Sequence, residues 1–592
     1  MYIEYVKIEN FRNLDNIEIH FNHEINFIVG ENDLGKSNFL DLLDIVSNKS
    51  SFHEEDFLDK EKNIKITLRC GLSDDEIGIF DDCIDVESGK VVELTITQNI
   101  NEDRFKIYCG DSEDNINISI LKCINFIKYS PIRKPEEEFN MTSNKGISKV
   151  FKYFIEKIVK KDNQKFLKEE ELKKVIDSIN SVFSKITLFK EYKLEEESNP
   201  VELIARILKI KDKNDLDIFK SGHGFQFSLI LFLYILARLI QLKENKRKKD
   251  CIFGNKNQKS LSLILGLDEP EIHLHPFMQR QLIKELQKII RNENNEFKSI
   301  LKEIFSENEE YIEGIKINGQ MFVVTHSPYI LTNDVEQYIR FLRRGGNLEI
   351  ISGIKLSLEE GEYKQFLLQI KNIKESFFSK CCLIVEGDME YGIFPYFLDK
   401  ISKMHRDLER NREAVFLINA GSKNNIRFLF KVLDFFHIPT FVIADGDYNY
   451  EKNREMKNSI ENLYFTKYKD FEEELVNKLI KLGKEDLLIE FIREIDKDGI
   501  SRTFQKKKLQ DINDKYKLGL SIQSDVKLEE IRNSNKILKK LWLLTWLNIN
   551  KSVYIGQRLG EFLFNEKKLD WRVIPDVYFK VTYLSLEKVK YE

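Results

Sequence analysis

Residues 24–46 read EINFIVGENDLGKSNFLDLLDIV, and this stretch decides the fold of the N-terminal half. EINFIVG is a short apolar run with the character of a buried strand, and KSNFLDLLDIV repeats apolar residues at helical spacing. Between them GENDLGKS, Gly30 to Ser37, satisfies G-x-x-x-x-G-K-[ST] where its chemistry requires it, after a strand and at a helix start. Gly30, Asn32 and Gly35 lie in a turn whose N–H groups can curl around phosphate. Lys36 supplies charge for the β- and γ-phosphates, and Ser37 a hydroxyl for Mg²⁺. The chain therefore contains a β-loop-α nucleotide site for ATP.

Working outward, YVKIENF and IEIHF precede this unit, and short alternating runs from about 62 to 128 predict an antiparallel β layer. Apolar residues at helical spacing in a Lys/Glu-rich background, from about 147 to 186, predict amphipathic helices projecting from the core, which a helical dimerisation insert over 147–215 accommodates. SGHGFQ, Ser221 to Gln226, sets Ser221, Gly222, Gly224 and Gln226 at the start of an apolar helix, an anion-binding arrangement. That apolar run, Phe227 to Ile240, is shorter than the roughly 20 residues of a membrane span and is interrupted by Arg238, so it reads as a buried helix. KENKRKKDCIFGNKNQKS, 243–260, predicts an exposed basic loop.

SLILGLDEP then ends a strand in Asp268 and Glu269, one placed to hold magnesium and the other to orient the attacking water. VVTHSP sets His326 after another strand, where an imidazole can reach a γ-phosphate; His273 and His275 read as structural rather than as metal ligands.

A second α/β unit opens at KCCLIVEGDME and returns through EAVFLINAG to TFVIADGD. Glu386, Asp388 and Glu390 follow one apolar strand, and Asp445 and Asp447 follow another. If both strands share a parallel sheet, their carboxyl ends bring the acids together. Such crowding is tolerable with cations between them, and two divalent ions, Mg²⁺ or Mn²⁺, are what in-line phosphodiester cleavage uses. From about 455 onward the chain reads as mostly helical.

The order NFRNL, GENDLGKS, SGHGFQ, LDEPEIHLHP and VVTHSP resembles the ABC-type ATPases of the RecF, SMC and OLD (overcoming lysogenization defect) groups. The resemblance implies a Walker A at 30–37, a signature motif at 221–226, a Walker B at 268–269 and a switch His326, with ATP held between two heads and hence a homodimer or higher homo-oligomer. The P-loop departs from the usual ENGSGKS, and no Q-loop glutamine is placed. VEGDME, NAGSKNN and IADGD resemble a TOPRIM domain, and this order of domains resembles the OLD-family nucleases. That implies Glu386, Glu390, Asp445 and Asp447 as metal ligands, Asp388 as an extra acid, a further acid in KDFEEEL taken as Glu472, and Lys551 in KSVYIGQRLGEFL as a stabiliser of charge at the scissile phosphate. It further implies DNA as substrate, a role in antiviral defence, including Gabija-type and retron-associated systems, and a helicase-like or retron partner.

The expected fold is thus α/β: an ABC-type ATPase head over 1–355 with an inserted helical arm, then a Rossmann-like TOPRIM domain with a helical C-terminal elaboration over 375–592. Composition agrees with a folded cytoplasmic protein away from membranes, with 42% hydrophobic and 32% charged residues; a net charge of -5 conceals 93 basic residues. The seven cysteines contain no CxxC, arguing against zinc or a disulfide framework. Two rival readings remain at this point: an ATP-driven DNA clamp or sensor with an inactive acid cluster, and a topoisomerase-like enzyme, for which 22 tyrosines offer candidates.

Overall fold

The structure, a computed structural model, describes residues 1–77, 80, 83, 90–110, 115–130, 150, 153, 169–185, 191–196, 208–212, 223–244, 252–253, 258–305, 314–495, 503–527 and 534–589. The chain forms two units, Met1–Leu356 and Ser357–Glu592. In chain order the strands are β1 (Tyr2–Glu9), β2 (Ile17–His20), β3 (Ile25–Gly30), β4 (Ile64–Gly71), β5 (Val91–Gln98), β6 (Lys106–Cys109), β7 (Phe126–Tyr129), β8 (Tyr192–Glu196), β9 (Leu208–Asp212), β10 (Ile252–Phe253), β11 (Gln258–Asp268), β12 (Gly314–Val324), β13 (Tyr338–Arg344), β14 (Asn347–Ser352), β15 (Cys381–Val385), β16 (Val415–Asn419), β17 (Thr440–Ala444) and β18 (Leu463–Phe465), followed by a short hairpin, 503–504 with 526–527.

The first unit has two sheets. One is antiparallel, in the order β2-β1-β4-β5-β6, and its strands alternate because one face packs inward. The other runs β10-β11-β12-β3-β13-β14, with β7 also on β11; β7, β11, β12, β3 and β13 are parallel. β7 therefore belongs to the second sheet, not to the antiparallel layer expected for all of 62–128. The β11–β12 register runs from Gln258 opposite Gly314 to Asp268 opposite Val324, so both strands end level. β12 continues onto β3 with Val324 opposite Ile28. Asp268, the P-loop and Thr325–His326 consequently share one edge.

The helix His223–Glu244 is long and apolar enough to cross a membrane by length and composition, yet 78% of that stretch is buried inside the molecule, as a core helix is. Most of 147–215, and with it the expected dimerisation insert, lies outside the described residues. Where described, helix Glu169–Lys185 packs against β8 and, at its C-terminal end, against helix Asn295–Phe305. It buries Val175, Ile179 and Phe183, Asn180 exchanges two hydrogen bonds with the Leu194 main chain, and Lys185 reaches Ser299. The stretch is not wholly helical, since β8 and β9 form an antiparallel hairpin. The expectation that the cysteines stay unpaired is corrected at one place: the fold brings Cys83 and Cys109, 26 residues apart, to a Cα–Cα distance of 5.2 Å as a disulfide.

The second unit is built on a parallel sheet in the order β16-β15-β17-β18. β15 and β17 are buried along their whole length, as expected of central strands covered on both faces. Val385 stands opposite Ile443, so Glu386 and Asp445 leave neighbouring strands at the same edge. The C-terminal helices pack on this sheet through a core that includes Phe394, Phe397, Phe471, Trp542 and Tyr578.

Candidate functional site

The phosphate-loop edge comes first. Gly35 sits at φ +87°, in the left-handed region open to glycine, and a Cβ there would lie 2.5 Å from the Asn13 amide oxygen. The turn is thus closed against the NFRNL segment, whose Arg12 binds Asn38, Asp41 and Asp56. Lys36 is buried, with its ammonium on the carbonyls of Gly30, at 2.9 Å, and Glu31. Burial lowers its pKa to about 8, against the opposing pull of Glu269 and Asp268. Ser37 Oγ donates to Asp268 Oδ1 at 3.0 Å, uniting the two side chains expected to share a magnesium ion. Burial raises the Asp268 pKa.

His326 Nε2 stands 3.6 Å from Glu269 Oε1. Asn32 is exposed in the turn. Ser221 and Gly222 lie outside the described residues, while Gly224 and Gln226 open the core helix; a Cβ on Gly224 would lie 3.1 Å from the His273 carbonyl. His273 stacks on Phe227 and His275 caps helix Pro276–Ile290. Glu271, which sequence reasoning passed over, bonds Thr325 and the His326 main chain.

At the second site, Glu386 Oε2 accepts the Asp445 N–H at 3.0 Å. Glu390, in the first turn of helix Asp388–Ser402, reaches back to the Gly387 N–H at 2.6 Å and accepts the Tyr578 hydroxyl. Glu472 is fully buried and accepts Lys551 Nζ at 3.0 Å. Asp445 feels Glu390 and Glu386 as neighbouring charges, and Glu390 feels Glu472, so the acids of two strand ends and of helix Phe471–Lys481 form one cluster around Lys551. Burial raises the pKa of Glu386, Glu390, Asp445 and Glu472, in the case of Glu390 to about 8. Asp447 stays at the rim, paired with Lys423 at 2.6 Å, and the extra acid Asp388 accepts from Asn419.

Helix phase decides between the acids of KDFEEEL. Asp470 caps the helix, which turns Glu472 to Lys551 while Glu473 faces Lys540, Tyr448 and the Lys469 main chain. The cap is an Asp with Glu473 three residues on; Tyr578 ends IPDVY, a stretch that shares the C-terminal resemblance but carries no assigned role. Lys551 is held by a close helix crossing. A Cβ on Gly392 would lie 2.1 Å from the Val553 carbonyl and one on Gly556 2.2 Å from the Met389 carbonyl, so only glycines allow this approach.

Among the described residues no group of three or more His, Cys, Asp or Glu stands already arranged to hold a metal ion. The chemistry of the donor set nevertheless fits divalent cations: Asp445 Oδ1 and Glu472 Oε1 are enclosed without a hydrogen-bond partner, and oxygen atoms of this kind are what a hard cation takes.

Comparison with known proteins finds a domain over each of the two regions. A model of the AAA ATPase domain matches residues 1–193 and 138–331, more than half of the chain, and one described as overcoming lysogenization defect protein-like, TOPRIM domain, matches 377–447. The chain belongs to the AAA ATPase domain family and carries an OLD-like TOPRIM domain. Its two domains imply nucleotide binding and the use of divalent metal.

This AAA-family chain is 23% identical over 447 residues to endonuclease GajA of Bacillus cereus strain HuB5-5, covering 68% of this chain and 59% of that protein. It is 24% identical to endonuclease GajA of Bacillus cereus strain VD045, covering 67% of each. The chain therefore spans about three fifths to two thirds of these relatives. Among solved structures, an Smc head bound to the C-winged helix domain of ScpA is 17% identical with a TM-score of 0.35, over 61% of this chain and all of that one.

Proposed function

We propose that this chain is an ATP-binding, divalent-cation-dependent DNA endonuclease that nicks or cuts duplex DNA in antiviral defence. The observation that carries the reading is the gathering of Glu386, Glu390, Asp445 and Glu472 around Lys551, with buried carboxylate oxygens lacking partners. These acids, with Asp447 at the rim, would hold the cations, Mg²⁺ or Mn²⁺. When bound, such ions supply a nucleophilic water and neutralise charge on the phosphate. Lys551 brings a fixed positive charge beside the scissile phosphate, and its ion pair with Glu472 keeps the ammonium in place. Glu386 fixes the main chain of Asp445 and thereby its carboxylate.

In the other unit, Gly30 to Ser37 and Asp268 bind ATP and its Mg²⁺, Glu269 orients water, and His326 senses the γ-phosphate. Ser221, Gly222, Gly224 and Gln226 complete the nucleotide site of a second head, which makes the working form a homodimer or larger. A helicase-like or retron partner is what the resemblance to the OLD-family nucleases implies.

The test is plasmid cleavage by the full chain in Mg²⁺, Mn²⁺ or EDTA, with and without ATP, beside Asp445→Asn/Asp447→Asn. Cation-dependent nicking or linearisation that the double variant loses is the expected result. Equal cutting by the variant ends the nuclease reading, and a covalent protein–DNA adduct replaces it with a topoisomerase-like one.

A further inference from the structure

The turn after β11 carries two glutamates of different fate. Glu269 sits in the left-handed region at φ 47°, with its side chain turned toward the His326 imidazole. Glu271, two residues on, turns the other way. Its Oε1 accepts both the Thr325 hydroxyl, at 2.9 Å, and the His326 main-chain N–H, at 2.6 Å, while its Oε2 is enclosed with no partner.

Thr325 is fully buried, and its oxygen also receives the Ser327 N–H at 3.0 Å. Glu269 N–H donates to the Val324 carbonyl at 2.9 Å. One short turn is therefore tied to the end of β12 at Val324, at Thr325 and at the His326 N–H. No other side-chain partner of the His326 main chain is present among the described residues, so Glu271 sets where the imidazole starts. A carboxylate acceptor makes these bonds shorter and stronger than a neutral one, which suits a clamp on a backbone that must not drift.

We propose that Glu271 is a positioning residue for ATP hydrolysis: it touches no phosphate itself but holds His326 at the distance from Glu269 that turnover requires. The inference rests on reading Glu269 and His326 as the hydrolytic pair. Small displacements of such a pair are costly, on the order of 100-fold in rate for about 1 Å.

The experiment measures steady-state ATP hydrolysis and binding of a fluorescent ATP analogue by the full chain and by His326→Ala, Glu271→Gln, Glu271→Ala and Glu271→Ala/His326→Ala. Glu271→Ala is expected to lower kcat by about 10- to 100-fold with affinity within about twofold of wild type. Glu271→Gln, whose carbonyl can accept the same two bonds, retains most of the rate. The double variant is no slower than His326→Ala, because both changes remove one contribution.

Additive losses in the double variant, an unchanged kcat in Glu271→Ala, or a loss confined to ATP affinity each overturn the proposal. Should Glu271→Ala fail to fold, Thr325→Val removes one of the two bonds and must still lower kcat. An unaltered rate in His326→Ala, or a wild type without turnover, instead overturns the underlying reading of the hydrolytic pair.

Discussion

Glu386 accepts the main-chain N–H of Asp445 at 3.0 Å, so the acid ending one central strand grips the backbone of the acid ending its neighbour. The contact follows from register, since Val385 and Ile443 stand opposite each other one step earlier. It places two carboxylates where burial disfavours ionising either.

Asp445→Asn separates the chemical role of this acid from its cost. Burial, then Glu390 and Glu386, oppose the Asp445 charge. In EDTA the variant is expected to unfold a few degrees higher than wild type, in line with roughly 1 kcal/mol of relieved repulsion. Cleavage falls by on the order of 100-fold or more. Differential scanning fluorimetry and a plasmid assay on one preparation check both; a lower midpoint in EDTA contradicts the electrostatic account.

Glu390 gives a pH dependence with a definite sign. Burial raises its carboxyl pKa from 4.5 to about 8, against the pull of Tyr578 and the Gly387 N–H. The folded chain thus keeps a proton that the unfolded chain releases, and stability without cations falls as pH rises from about 4.5 to about 8. Cations bind the deprotonated acids, so the Mn²⁺-induced rise in melting temperature is expected to be larger at pH 8 than at pH 6. Melting curves at both pH values with Mn²⁺ or EDTA decide it, and an equal or reversed increment counts against the assignment.

Gly556→Ala tests the helix crossing. The added methyl would lie 2.2 Å from the Met389 carbonyl, closer than any relaxed contact, so the helices must part. A cost of about 1–3 kcal/mol is expected, with cleavage falling further than stability alone explains because Lys551 moves with its helix. Gln557→Ala, on the exposed side of the same helix, leaves both unchanged. Chemical denaturation and cleavage measured under fully folded conditions distinguish the two effects.

Lys36→Met keeps an unbranched chain in a buried position and removes the charge, so folding survives while nucleotide binding is lost. ATP at about 100 times its dissociation constant stabilises a binding protein by about 2.7 kcal/mol. That increment in melting temperature, present in wild type with Mg²⁺, is absent in the variant. An equal shift in both places the nucleotide elsewhere.

What the sequence revealed is what chemistry compresses into short segments. A phosphate loop must lie between strand and helix, and an acid serving a parallel sheet must sit at a carboxyl end, so GENDLGKS, LDEP, VEGDME and IADGD were each readable where they stand. Glu472 could not be separated from Glu473 by composition; behind the Asp470 cap the helix turns Glu472 to Lys551 and Glu473 to Lys540. Tyr578 meets Glu390 across 188 residues, and the Cys83–Cys109 bond joins segments 26 residues apart, so neither contact could be read from neighbouring residues. The hairpin β8–β9 was misread as helix because Lys/Glu-rich strands share the composition of solvated helices.

Lys551 and Tyr578 both come from beyond the sheet that carries the acids, one just ahead of helix Val553–Gly560 and one from the first turn of helix Asp576–Lys588. The unit is therefore not modular. A chimera that grafts residues 377–447 of this chain onto a relative's tail, or a truncation ahead of residue 551, would carry the carboxylates without the ammonium and the phenol that restrain them. Exchange between relatives has to take the whole of 357–592, and substitutions fixed near either end of that span are expected to be matched at the other.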